Sequence, residues 1–320
     1  MKKNTLIILT VIIIGIIFVI LAGMYKFNYL ASKPGYDVDG NKINTSEIKS
    51  NPKNTTYIID NKQITLTNGI LEKEIAPDSA SKIVTQYFGN EVSIDLDGDN
   101  REDSVFLLTQ TTGGSGTFFY VVAALNTEDG WKGSSGFLLG DRISPQTTEI
   151  SKNPSHKNVI VVNYTDRQLD QSVTVQTSTG KSAWLKLDTQ SMIFGEVEQN
   201  FSGEANPDVM TLDMKTWTWI KTTYNNDTEI APNQKNEFTI NFSNNGNISA
   251  TTDCNSMSGS YFTKDNQINF GPIAMTRMFC PESQEQDFAK IFDEVQSFFF
   301  TSKGELVMEL KFDSGSVILK

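Results

Sequence analysis

Apolar and polar positions divide this chain into four stretches of different character. Leu6 to Met24 reads LIILTVIIIGIIFVILAGM, 19 residues with nothing more polar than Thr10. At about 1.5 Å per residue in a helix, that run matches a hydrocarbon core of about 30 Å. Met1-Lys2-Lys3 places positive charge ahead of it. The rival reading is a cleaved signal peptide, whose apolar part runs roughly 7–15 residues. Here the run is longer, the Ala-x-Ala mimic Ile20-Leu21-Ala22 begins with a large residue, and Met24 stands where a lipobox cysteine would be. The pattern favours an uncleaved transmembrane anchor over residues 1–24, and in either reading the bulk of the chain is extracytoplasmic. Residues 25–55 carry Asn, Lys, Ser and Thr without hydrophobic periodicity, which predicts a flexible tether.

Residues 56–208 predict a β-rich domain with one short helix. TYIID and QITLT flank Asn61-Lys62, a two-residue hairpin signal. In SASKIVTQYFG, Ile83, Val84, Tyr87 and Phe88 fall on one helical face. Asp78 or Ser79 offers a cap and Gly89 a stop, so a short helix is expected there. DSVFLLTQ, TFFYVVAAL, GFLLGDRI, NVIVVNYTD, SVTVQT and AWLKLDT then read as strands between turn clusters, the order of an antiparallel sheet or sandwich.

Residues 212–320 predict an antiparallel barrel or half-barrel with one helix laid on it. KTWTWIKTTY puts Trp217 and Trp219 on one side of a strand, and Asn245-Gly246 marks the tip of a hairpin. Ser283 and Gln286 read as a capping box. Phe288, Ile291, Phe292 and Val295 then recur at helical spacing, which predicts a helix over Ser283–Val295. Three closing strands follow, with Leu306, Met308, Leu310 and Phe312 expected to alternate inward. The fold class is mainly β (α+β).

Composition removes several functions. The chain has 27 basic and 38 acidic residues among its 320, a net charge of −11, and no basic run, so nucleic acid is not an expected partner. Two cysteines and one histidine cannot build a Cys/His zinc centre. His156 lies in the polar loop SKNPSHKN, and no Gly-x-Ser-x-Gly elbow accompanies it. Cys254 and Cys280 are the two cysteines, outside the cytoplasm, so a disulfide is expected; two buried free thiols are the alternative.

DCNSMSGSY, followed by MTRMFCP, a helix with an acidic start and a terminal KGELVMELKFDSGSVILK, resembles the META domain, also called the HslJ-like heat-shock family. The likeness covers residues 212–320. It implies a compact β-rich domain with a helix, an association with the bacterial envelope, stress and antibiotic tolerance, and no established catalytic residue.

The most suggestive polar stretch is Asp95-Leu96-Asp97-Gly98-Asp99-Asn100-Arg101-Glu102-Asp103. Asp95, Asp97, Asp99 and Asp103 fall at positions 1, 3, 5 and 9 of a calcium-type loop, with the Arg101 carbonyl at position 7. Calcium in a structural role is the expected cofactor, and an acidic turn capping its own amides is the bland alternative. Gly113-Gly114-Ser115-Gly116-Thr117 lacks a Walker lysine and a following helix, so it reads as a hairpin loop. Asp141-Arg142 and Asp166-Arg167 read as surface ion pairs. Trp217, Trp219, Tyr224 and Phe298-Phe299-Phe300 read as core rather than as the lining of a ligand cavity.

The function these signs imply is a membrane-tethered, extracytoplasmic binding or structural module of the bacterial envelope without catalysis. Its partners would be the membrane, through residues 1–24, and an envelope protein. A barrel carrying a small apolar ligand and an unrecognised hydrolase are the alternatives. The 254–280 loop is expected to present Met257, Tyr261 and Arg277 to a partner.

Overall fold

A computed structural model describes residues 51–320 apart from 78, 80, 169, 170, 173, 176 and 227. The expected anchor over residues 1–24 and the tether up to residue 50 lie outside the described residues. Among the described residues, no helix is long and apolar enough to cross a membrane.

The strand Asp103–Thr111 is the centre of the amino-terminal half, buried at every position but its last. Its alternating side chains serve two cores. Val105 and Leu107 face Ile160, Val162 and Leu185, whereas Phe106 and Leu108 pack with Tyr57, Ile59 and Leu66. Three layers result. A hairpin of Thr56–Ile59 and Lys62–Thr65 covers one face of a six-stranded antiparallel sheet. A four-stranded sheet, ordered Ile193–Glu196, Thr179–Asp188, Val159–Asp166, Ser144–Ile150, covers the other.

The helix expected at SASKIVTQYFG is instead part of a 13-residue strand, Lys82–Ile94, which pairs with both Ile70–Glu74 and Asp103–Thr111. Ile83, Val84, Thr85 and Val92 are β-branched, and the buried edge of Asp103–Thr111 needs a hydrogen-bonding partner that a helix could not supply. Gly89, at φ +123°, and Asn90, at φ +52°, form register shifts in that ladder rather than a helix stop. The amino-terminal hairpin turns on Asp60-Asn61, both at positive φ, one residue earlier than expected, so that Ile59 pairs with Lys62. SVTVQT is turn and coil where it is described, with Val175 exposed. The short strands Gly130–Gly133, Ser144–Ile150 and Ile193–Glu196 carry too few apolar positions to announce themselves.

The carboxy-terminal third is a closed barrel of eight antiparallel strands. Trp217–Tyr224, Thr239–Phe242, Asn247–Thr251, Ser256–Lys264, Gln267–Phe270, Val295–Phe300, Leu306–Leu310 and Gly315–Leu319 pair in that order, and the last pairs back to the first. Gly246, at φ +83°, makes the predicted hairpin tip. The helix Glu285–Glu294 buries Phe288, Ile291 and Phe292, as its spacing predicts, and Val295 is buried at the start of the next strand. With Trp217, Trp219 and Phe238, these rings fill the barrel. Trp219, Phe238 and Phe288 sit 5.3–5.6 Å apart, centroid to centroid. Both indoles donate inside, Trp217 to the Leu212 carbonyl and Trp219 to Thr222 Oγ1.

Leu306, Met308 and Leu310 point inward as expected, but Phe312 does not: it is 89% exposed at φ +60°, where a short 3-10 turn ends the alternation. The opposite face of the same strand, Val307 and Glu309, is also fully buried. A barrel's outer face is buried only when something lies on it, and here that is the amino-terminal half. Gly180 abuts Phe299 so closely that a Cβ would stand 2.3 Å from the Phe299 Cβ. Asn51–Lys320 accordingly forms one compact unit.

Candidate functional site

The triplet Asp253-Cys254-Asn255 frames the loop that follows the hairpin of Ser256–Lys264 and Gln267–Phe270. Each of its side chains ties a different piece of chain. Cys254 is joined to Cys280 by a disulfide, with Cα atoms 6.0 Å apart. Asn255, 3% exposed, uses its whole amide. Its Oδ1 accepts from the Met278 amide (2.8 Å) and Thr276 Oγ1 (2.7 Å), and its Nδ2 donates to the Met278 carbonyl (2.9 Å) and Glu285 Oε2 (2.8 Å).

Asp253 serves the helix. Its two oxygens accept from Ser283 Oγ (2.5 Å) and the Gln284 amide (2.9 Å). The Ser283–Gln286 capping box does not form. Ser283 Oγ accepts from the Glu285 amide while donating to Asp253, so a carboxylate thirty residues upstream caps the helix start. A local sequence rule cannot see a cap delivered from a bend thirty residues away.

What this frame holds outward differs from the expectation. Met257 is core, 3% exposed, because it sits on the inward face of its strand, and Tyr261 is half-buried with its hydroxyl on the Ser243 carbonyl. Arg277 is exposed, as expected, and beside it stand Met278 (61% exposed) and Phe279 (89%). The apolar pair was legible as MFC, a hydrophobic dipeptide against a cysteine with no strand to bury it.

In the acidic loop the structure brings Asp95, Asp97 and Asp99 together, with ligand-capable oxygens within 4.8 Å of one another. Asp103 is not in that group. It is 1% exposed, and its oxygens accept the amides of Leu96 and Asn126, both at 2.8 Å. Burial pushes its pKa up against the pull of those amides. Asp95 shows the opposite balance. Desolvation works against its charge, but the amides of Asn100 and Gly98 lead four that outweigh it and hold it below the usual carboxylate range. The Arg101 guanidinium already pairs with Asp99 and donates from Nε to the Asn126 carbonyl. Three carboxylates, one of them already paired with Arg101, thus suit a hard cation in part, with fewer oxygens than the six to eight that calcium takes.

The seam between sandwich and barrel holds polar groups that the sequence reading missed. Glu309, wholly buried, accepts from Thr165 Oγ1 (2.8 Å) and Thr177 Oγ1 (3.1 Å) across the seam, and from Ser297 Oγ (2.5 Å) within the barrel. Burial raises its pKa despite those donors. Glu149, 3% exposed, meets Lys303 Nζ at 3.4 Å from the barrel side. Burial likewise raises its pKa. An acidic residue inside LVMEL is the one local hint of the first.

The remaining candidates stay structural. Asp141 pairs with its neighbour Arg142, which holds its carboxyl low, and accepts the Thr117 amide that closes the glycine loop. Asp166 pairs with Lys181, while Arg167 donates to the carbonyls of Arg142 and Val175. The Nε2 of His156 is enclosed without a hydrogen-bond partner, so no hydroxyl is poised against it.

No curated relative matches the chain. The solved NMR structure of a protein from Burkholderia xenovorans aligns at 20% identity, covering 39% of this chain and 97% of that one, with a TM-score of 0.31. Residues 210–319, the C-terminal third of the chain and all eight strands of the barrel, match the model of the META domain family.

Proposed function

We propose that residues 51–320 form a non-catalytic binding module, displayed outside the cytoplasm on the anchor of residues 1–24, whose contact element is the Arg277-Met278-Phe279 tip. The observation that carries this reading is the combination of an 89% exposed Phe279 with a backbone fixed on both sides by Asn255 and the disulfide. An apolar side chain on a backbone that is already fixed leaves only its own rotamers to be ordered on docking. Two carboxylates of this region are engaged in holding the frame: Asp253 caps a helix and Glu285 anchors Asn255. The filled barrel interior weighs against the apolar-carrier alternative. The acidic loop is a structural calcium site, with Asp95, Asp97, Asp99 and the Arg101 carbonyl as ligands and Asp103 fixing the loop behind them.

Photo-crosslinking in cells tests this reading. A crosslinker replacing Phe279 in the full chain yields discrete adducts with an envelope partner. The same group at Ile193, exposed on the four-stranded sheet, does not. Indistinguishable adducts from both positions overturn the proposal, as does turnover of ester, peptide or glycoside substrates by the purified full chain.

A further inference from the structure

Both cysteines of the chain are joined in the Cys254–Cys280 disulfide, so the sulfur left to oxidise belongs to its nine methionines. Exposure decides which thioether meets a dissolved oxidant, because the lone pair on sulfur has to be reached by collision. Among the described residues, Met192, Met257 and Met308 are enclosed, at 6%, 3% and 0% exposure. Met214, on the 3-10 turn before the first barrel strand, is 52% exposed, and Met278, in the tip, is the most exposed at 61%. What sets Met278 apart is the way it is held. Asn255 accepts from its amide (2.8 Å) and donates to its carbonyl (2.9 Å), so the frame grips the backbone and a chemical change at the sulfur leaves both bonds in place. The same change at Met257 or Met308 would put a polar S–O group into the barrel core.

We propose that Met278 is a peroxide-sensitive modification site whose reversible oxidation to the sulfoxide switches off docking at the tip, an inference that rests on the tip being the contact element. The Met278 sulfur attacks one oxygen of hydrogen peroxide, and its lone pair forms the S–O bond as the O–O bond breaks. The sulfur is oxidised by two electrons, and the peroxide is reduced and leaves as water. A methionine sulfoxide reductase drawing on a dithiol reverses the step: the oxygen leaves as water and the dithiol closes to a disulfide. The thioether is a soft apolar surface beside Phe279, 89% exposed, whereas the sulfoxide is polar and costly to bury in the same contact. The bond that fixes the frame is already oxidised, so peroxide changes what the tip presents without loosening what holds it.

Peptide mapping of the purified full chain after graded hydrogen peroxide tests the site. Met278 should gain one oxygen, about 16 Da, at doses that leave Met192, Met257 and Met308 unmodified and the thermal melt unchanged, and a methionine sulfoxide reductase with a dithiol should remove it. In cells, the crosslinker at position 279 reads the switch. A peroxide pulse should lower adduct yield about tenfold in the otherwise unaltered chain and in Met214→Leu, the scale of one apolar side chain's burial. Met278→Leu, apolar and not oxidisable, should keep its yield, and Met278→Gln, polar from the start, should give a low yield without peroxide. Met278 left unmodified at doses that oxidise Met214, or equal loss of adducts in Met278→Leu, overturns the proposal. Adducts that persist once the map shows Met278 oxidised overturn the switch and leave the docking reading standing, whereas no adducts even before peroxide overturn the docking reading and the switch with it.

Discussion

Replacing Glu309 tests whether the two halves are held by a buried acid. Its carboxyl is fully enclosed and receives Thr165 and Thr177 from the sandwich and Ser297 from the barrel. In Glu309→Ala those hydroxyls lose their acceptor. The two threonine oxygens already stand 2.9 Å apart and can pair with each other, so two donors rather than three need new partners. With a cavity added, the expected loss is about 2–4 kcal/mol, moderated by relief of a buried charge. At about 2–4 °C per kcal/mol for a unit of this size, the melting temperature should fall on the order of 5–15 °C.

The pH dependence separates this from a generic packing defect. Burial raises the Glu309 pKa in the folded state, so above the ordinary carboxylate range the folded protein still holds a proton that the unfolded chain has released. Stability is therefore full below the unfolded pKa and is lost as pH rises through the folded one. Glu149, raised in the same direction, adds to that slope. Glu309→Gln removes one titrating group while keeping an acceptor, so urea unfolding followed by circular dichroism across a pH series should show a flatter slope than wild type. An identical slope in the Gln variant, or an Ala variant within about 0.5 kcal/mol of wild type, would refute the reasoning.

Reducing the Cys254–Cys280 bond, or Cys254→Ser with Cys280→Ser, should lower stability by about 3–4 kcal/mol from the chain entropy of a 26-residue separation, read by denaturant midpoint with and without reductant. Asn255→Ala should lower stability by about 2–3 kcal/mol, because the Met278 amide and carbonyl lose their buried partners. Amide exchange in residues 276–279 should accelerate with it, and unchanged exchange there contradicts the bracket role. Calcium at a hundred times its dissociation constant should stabilise the wild type by about 2.7 kcal/mol, with the gain lost on chelation and absent in Asp97→Ala; identical melts throughout would leave the loop a turn. Gly180→Ala should weaken the seam, since its Cβ would meet Phe299 at 2.3 Å, and a melt unchanged from wild type argues against close packing there.

The barrel was largely legible because its signals are local. Asn245-Gly246 can form its turn unaided, the Phe288–Ile291–Phe292 spacing defines a helix face, and Trp217 and Trp219 alternate correctly. Lys82–Ile94 was not legible, since its residues satisfy a helical period as well as a strand, and the choice was made by the unpaired edge of Asp103–Thr111. The capping of Ser283 by Asp253, the burial of Met257 and the exposure of Phe279 likewise depend on which strands become neighbours. The acidic loop shows the division within one motif. Its spacing named the carboxylates, but only the fold turned Asp103 inward onto the amides of Leu96 and Asn126. Glu309 and Glu149 had no sequence signature as a pair, lying 160 positions apart in chains of ordinary strand residues. Periodicity records which face of a strand is apolar, whereas a seam between two halves buries the other face too, and that second burial is decided by long-range packing alone.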